Sequence, residues 1–192
     1  EARKRNNEPQ NDKRITSELG NVSPIVVVPG SWTQTELRFQ AENVATQMTN
    51  NGGFNCNAAK MIIVWEEWAQ KRDFMDMLAS VLAEIPQRVA YYPGAFQRYE
   101  HFVSKHASPI KVGDQDDKHL PWTLLPDVSI DESGVPFFTE ESFCGVTAQT
   151  NLPASDARSF LANAVEFCNE KLWGTLNACI LVDPRTEKQL GG

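Results

Sequence analysis

The sequence predicts a three-layer α/β domain, with a mainly parallel sheet covered by helices on both faces. Three observations predict it. The runs "PIVVV" (24–28), "MIIVW" (61–65) and "ACILV" (178–182) are short and wholly apolar. Runs of that kind read as central strands buried on both faces. Stretches with helical spacing of apolar residues lie between them, and strand-like and helix-like segments alternate along the chain. The chain has 192 residues, enough for one domain with a real core and too few for two large ones.

Each element has its own signal. Residues 1–14, "EARKRNNEPQNDKR", hold five Lys/Arg, three Asp/Glu and nothing apolar beyond Ala2. They read as a polar N-terminal loop or linker, with the domain over 15–192. The first strand ends at Pro29-Gly30. Thr33 and Glu36 form a T-x-x-E capping box, and Leu37, Ala41, Val44, Ala45 and Met48 follow at helical spacing. The second strand precedes a stripe of Phe74, Met77, Leu78, Val81, Leu82 and Ile85 that stops before Pro86. Pro93-Gly94 opens a helix carrying Phe96, Tyr99, Phe102, Val103 and His106. Residues 107–140 are irregular, with "PWTLLPDV" as the best strand. "GVTAQT" reads as a strand. Ser155 or Asp156 caps a helix with Phe160, Leu161, Ala164, Val165 and Cys168. "ACILVD" is the last strand.

At 41% hydrophobic and 22% charged residues the composition is that of an ordinary globular protein. A formal net charge of −7 disfavours nucleic acid and anionic membrane as partners. No apolar run approaches the roughly 20 residues of a membrane span. The N-terminus has no signal-peptide core and no initiator Met, so the chain reads as an excised piece. Cys56, Cys144, Cys168 and Cys179 are scattered, without CxxC or zinc-like spacing to His101, His106 or His119. Free thiols, no metal and a reducing, cytoplasmic setting are expected.

The stretch "NNGGFNCNAAK" (50–60) packs glycine and asparagine around one thiol before an apolar strand. Parallel α/β sheets place active loops at the C-terminal strand ends and the adjoining helix ends, and the thiol loop is expected between the helix ending near Asn50 and the strand starting near Met61. Gly52 and Gly53 permit tight backbone angles. Asn51, Asn55 and Asn57 offer amide groups, and the N–H of Cys56 can face a developing oxyanion. The loop alone also fits a small buried cysteine in a glycine-rich turn. Glu18 in "TSELGNVSP" (16–24) reads as a general base or as a surface carboxylate at a strand end. "EESFCGV" (140–146) pairs two acids with an aromatic residue and a turn into a strand.

These three segments, in this order, resemble the aldehyde dehydrogenase superfamily. Glu18-Leu19-Gly20 with Pro24 matches its E-L-G-G-x-x-P segment. Asn51, Gly53 and Cys56 match N-x-G-Q-x-C, and Glu140, Glu141, Phe143 and Val146 match E-E-x-F-G-P-V. "LWGTLNACILV" resembles a later segment that leads into the last catalytic-domain strand. The likeness runs from about Thr16 to Pro184. It departs at Asn21 (a glycine in the family), at Phe54 (a glutamine) and at Cys144-Gly145 (Gly-Pro), which leaves substrate preference open.

The resemblance implies an aldehyde dehydrogenase catalytic-domain-like fold and an NAD- or NADP-dependent oxidation of an aldehyde to a carboxylic acid. Cys56 would be the nucleophile, forming a thiohemiacetal and then a thioester, and Glu18 the base that activates water. Glu141 and Phe143 would hold the nicotinamide ribose and ring, and Leu19 would line the nicotinamide site. It also implies that the cofactor domain, its oxyanion-hole asparagine and the C-terminal oligomerisation segment lie outside this chain. The isolated chain is then expected to fold, to be inactive, to bind NAD weakly and to self-associate, with a homo-oligomeric parent. The competing reading is a non-enzymatic α/β domain kept for interaction. A cysteine hydrolase would need a histidine base, and no histidine has a fitting context.

Overall fold

The computed structural model describes residues 6, 8, 13–14, 16–131 and 134–191. The polar loop expected over 1–14 therefore lies mostly outside the described residues. The strands are β1 (Pro24–Val27), β2 (Met61–Trp65), β3 (Ile110–Val112), β4 (Trp122–Val128), β5 (Val146–Leu152) and β6 (Cys179–Leu181). The helices are α1 (Gln34–Thr49), α2 (Lys71–Glu84), α3 (Ala95–Val103), α4 (Ala157–Glu170) and α5 (Pro184–Leu190). Two 3₁₀ turns cover Asn50–Gly53 and Pro136–Phe138.

The strands form one sheet in the order β3-β4-β5-β2-β1-β6. All pairings are parallel except β3 with β4. Alternation along β1 and β2 explains the three layers. Ile25, Val27, Ile62 and Val64 pack on one face against Leu37, Ala41 and Val44 of α1 and Phe74 and Leu78 of α2. Val26, Met61 and Ile63 pack on the other face with Tyr99 and Phe102 of α3 and Phe160, Ala164 and Phe167 of α4. The capping box at Thr33 and Glu36 is formed. Asp156 caps α4, with Ser159 completing the reciprocal pair.

The "ACILV" run corrects one expectation. β6 is the edge strand, paired with β1, and Ile180 is 51% exposed. An apolar run identifies a strand, but chain topology decides its place in the sheet. Val165 is likewise exposed, although its spacing put it on the buried stripe. The helix expected to reach His106 ends at Val103, and His106 Nε2 lies 2.7 Å from the Pro126 carbonyl. Two elements carried too little apolar signal to be read. One is the three-residue β3. The other is α5, where Asp183 caps the amides of Arg185 and Thr186. The β4–β5 register shifts between Leu125 and Val128, where Pro126 has no N–H to give and Asp127 has φ 52°.

Candidate active site

The three motif segments meet at the N-terminal ends of the strands, and the Cys56 loop runs from the end of α1 to the start of β2, as expected. Residues 18–23 enter β1, 54–60 enter β2 and 141–145 enter β5. The general rule describes crevices opened where helices leave the carboxyl ends. Here the helix-to-strand connections carry the chemistry instead.

The backbone accounts for the glycine-asparagine bend. α1 ends at Thr49, and Asn51, Gly52 and Gly53 take φ of 51°, 70° and 80° in succession. Asn51 tolerates this region better than most residues, and its Nδ2 donates to the Phe54 carbonyl and to Tyr91 Oη, both at 2.9 Å. Gly53 has a second reason to lack a side chain. A Cβ there would lie 2.5 Å from the carbonyl carbon and oxygen of Cys144. The thiol loop and the 140–146 segment are therefore in direct backbone contact.

An open cleft of about 370 Å³ is lined by Glu18, Gly20, Phe54, Asn55, Cys56, Glu141 and Phe143. Residues distant in sequence thus share one wall. Cys56 is half-buried, and its Sγ lies 3.7 Å from Asn55 Oδ1. Its carbonyl accepts from Ser23 Oγ at 2.7 Å. Glu18 is exposed at the rim. Leu19 is 78% exposed and is not among the lining residues. Burial raises the Glu141 carboxyl above the usual carboxylate range, opposed chiefly by the Lys60 ammonium. Its Oε1 is buried and accepts no hydrogen bond among the described residues.

Aromatic rings back the cleft. Phe54 stacks on Tyr92 at 5.9 Å and meets Tyr91 edge-on at 5.2 Å. Phe143, at φ 42°, meets Tyr92 at 4.8 Å. The Arg98 guanidinium lies over both Tyr92 and Phe143, an attraction between cation and ring face. Burial pushes Cys144 up to about 11 and also raises Cys168. Cys179 lies on β6 with its Sγ 3.6 Å from Gln47 Nε2.

Each departure from the family pattern has a local role. Asn21 is buried, donates to Ser23 Oγ and accepts from the Leu176 amide. Phe54 fills the aromatic wall. Gly145 allows the Trp122 ring to approach within 2.7 Å of where a Cβ would stand. Lys60, Ser23, Arg98, Tyr91 and Tyr92 were not singled out from sequence. Lys60 had one usable signal, a cation directly abutting a wholly apolar strand. Among the described residues, no group of three His, Cys, Asp or Glu is placed to hold a metal ion. No described helix is long and apolar enough to cross a membrane.

No protein-family model matches the sequence, and no curated protein matches it. Solved structures do match. An indole-3-acetaldehyde dehydrogenase of P. syringae, in complex with NAD⁺, superposes with a TM-score of 0.68 at 14% identity, over 88% of this chain and 35% of that one. An NAD-dependent aldehyde dehydrogenase from Sinorhizobium meliloti gives 0.66 at 16% identity, over 89% and 34%. An NADP-dependent glyceraldehyde-3-phosphate dehydrogenase from Bacillus halodurans, complexed with NADP, gives 0.61 at 15% identity, over 88% and 40%. The chain thus spans between a third and two fifths of the length of these structures. Over nearly nine tenths of its own length, it has a fold shared with the aldehyde dehydrogenases.

Proposed function

We propose that residues 15–192 form the catalytic domain of an NAD(P)-dependent aldehyde dehydrogenase that oxidises an aldehyde to a carboxylic acid through Cys56. One observation carries this reading. Glu18, Cys56, Glu141 and Phe143 come from three separate segments and line one cleft. The same arrangement weighs against a domain kept only for interaction.

The residues fit a nicotinamide cofactor. Glu141 Oε1 is a buried acceptor without a donor among the described residues, which suits a ribose hydroxyl, since an unpaired buried acceptor is costly. The half-buried Phe143 ring beside it suits a flat ring. In this reading the Cys56 thiolate attacks the aldehyde carbon, the C=O bond opens and the oxygen takes a proton, giving a thiohemiacetal. The Cys56 N–H steadies the oxygen as charge develops. A bound NAD⁺ or NADP⁺ supplies the hydride acceptor that makes thioester formation possible. Glu18 then takes a proton from water. The hydroxide equivalent attacks the thioester carbon, the C–S bond breaks, and acid and thiolate separate.

The test is an assay of the full-length protein that carries this chain, with NAD and with NADP, over aldehydes of graded length. Reduced cofactor should accumulate and should depend on Cys56. No reduced cofactor with any aldehyde, from folded protein with a free Cys56 thiol, would sink the reading. We further propose a cytoplasmic, self-associating protein. Leu19, Trp173 and Leu176 are exposed on segments that hydrogen-bond to each other through Val22 and Asn21, and exposed apolar surface of that kind drives association. Sedimentation at graded concentration checks it.

A further inference from the structure

Lys60 stands directly before β2 and is 4% exposed. Its Nζ donates to the Gly53 carbonyl at 2.9 Å, inside the same loop as Cys56. Its backbone is pinned as well. The amide donates to the Ser23 carbonyl at 2.9 Å, and its carbonyl accepts from the Ala148 amide at 2.9 Å. One residue thus ties the segment that enters β1 and the Cys56 loop to each other and to β5.

The ammonium is a charge taken out of water, which is unfavourable unless something nearby requires it. The ionisable groups that face it are Cys144 and Glu141 from the segment before β5, and Cys56 from its own loop. Glu18, before β1, and Arg98, on α3, face Glu141 in turn. Packing alone gives no reason for a cation here, since methionine has nearly the same length and no charge to desolvate. Burial lowers Lys60 to about 8, while the thiols and the carboxylate pull it back up.

We propose that Lys60 is a positioning residue of this cleft: its ammonium holds the Cys56 loop through Gly53 and supplies the positive charge that the ionised Cys56 and Glu141 face. The proposal rests on the reading of Cys56 as the nucleophile. It predicts that an anionic electrophile is drawn to Cys56 more strongly than a neutral one of the same shape.

The experiment compares iodoacetate with iodoacetamide in the protein that carries this chain, reading the rate at the Cys56 peptide by mass spectrometry. In both reagents the thiolate displaces iodide from carbon, so the ratio of the two rates isolates the charge felt at the thiol. No cofactor or turnover is needed. In the unaltered protein the iodoacetate-to-iodoacetamide ratio should be high at pH 7. It should fall roughly threefold to tenfold as pH rises through about 8, the scale of one unit charge acting in a partly screened site. Lys60→Met should give a low ratio at every pH, and Lys60→Arg a high ratio at every pH. Cys144 titrates above this window.

A ratio that ignores pH in the unaltered protein, or one unchanged by Lys60→Met, would overturn the proposal. The first measurement needs no variant, so a Lys60→Met protein that fails to fold does not rescue it. A Cys56 that takes up neither reagent overturns both this proposal and the proposed function. The expected ratios without dehydrogenase turnover in the full-length protein leave Lys60 standing and remove only the proposed function.

Discussion

Ser23 and Cys56 are joined by a hydrogen bond: the Ser23 hydroxyl donates to the Cys56 carbonyl at 2.7 Å. Asn21 Nδ2 donates to that same hydroxyl at 2.8 Å, and Asn21 Oδ1 accepts from the Leu176 amide at 3.2 Å. Three bonds therefore run from the loop before β6 to the backbone of Cys56. Asn21 occupies the position where the resembled motif has glycine, and Gly174 makes room for it. A Cβ at Gly174 would stand 2.3 Å from Asn21 Oδ1.

Asn21→Gly should break this relay at its middle. It strands the Leu176 amide and removes one partner of Ser23, at a cost of about 1–3 kcal/mol. Urea denaturation measures that loss. Alkylation of Cys56 should slow in the same variant as its loop loosens. Unchanged stability would mean that water replaces the side chain without cost.

On the proposed function, Cys56→Ala should lower aldehyde oxidation in the full-length protein by about 10⁴-fold or more, with the circular dichroism spectrum unchanged. Glu18→Gln should spare the first turnover and slow the later ones. Stopped-flow fluorescence should then show a burst of reduced cofactor followed by a slow steady rate. Loss of burst and steady rate together would assign Glu18 to thiol activation or to structure instead.

Gly53→Ala and Gly134→Ala make an internal comparison, since both glycines have positive φ, 80° and 78°. A new methyl at Gly53 meets the Cys144 backbone, whereas one at Gly134 meets nothing within 4 Å among the described residues. Gly134→Ala should cost about 1 kcal/mol, the strain of the left-handed region. Gly53→Ala should cost about 2–5 kcal/mol, because a backbone clash adds to that strain. Equal losses in chemical denaturation would show that the two segments part readily.

Lys60 and Cys144 should pull stability in opposite directions at alkaline pH. Lysine normally titrates at 10.5, and burial brings Lys60 to about 8. Between those values the unfolded chain keeps a proton that the folded chain has released, so stability rises with pH. Cys144 goes from 9.0 to about 11. There the folded chain keeps the proton longer, and stability falls across that window. Lys60→Met should remove the rising limb and keep the falling one. Urea midpoints from pH 7 to 11 should diverge between the two proteins by a few kcal/mol. Parallel curves would show that Lys60 titrates normally.

Much of the fold was legible because burial imposes a period on sequence. The five apolar residues read on α1, from Leu37 to Met48, are the five buried there. The "ACILV" run was misplaced because an edge strand and a central strand share an apolar signature. α5 escaped notice because Thr186 is its buried residue, so no stripe exists to read. In the site, the motifs named residues without fixing their orientation. Leu19 adjoins Glu18 yet points to solvent. Lys60 was hard to read for a different reason, despite abutting an apolar strand. A charged residue normally marks a surface, and only the meeting of three distant segments encloses this one.

The loop that bears Cys56 begins where α1 ends. The last turn of a helix gathers partial negative charge, and no basic side chain falls in that turn of α1, although the Gln47 carbonyl accepts from the Ala59 amide at 3.1 Å. Many reactive thiols sit at the other pole of a helix, facing its free N–H groups. Here the polarity is reversed, and the peptide dipoles of α1 oppose an anion in the loop rather than welcome one. Lys60, whose Nζ donates to the Gly53 carbonyl inside that loop, is the positive charge set against this pole.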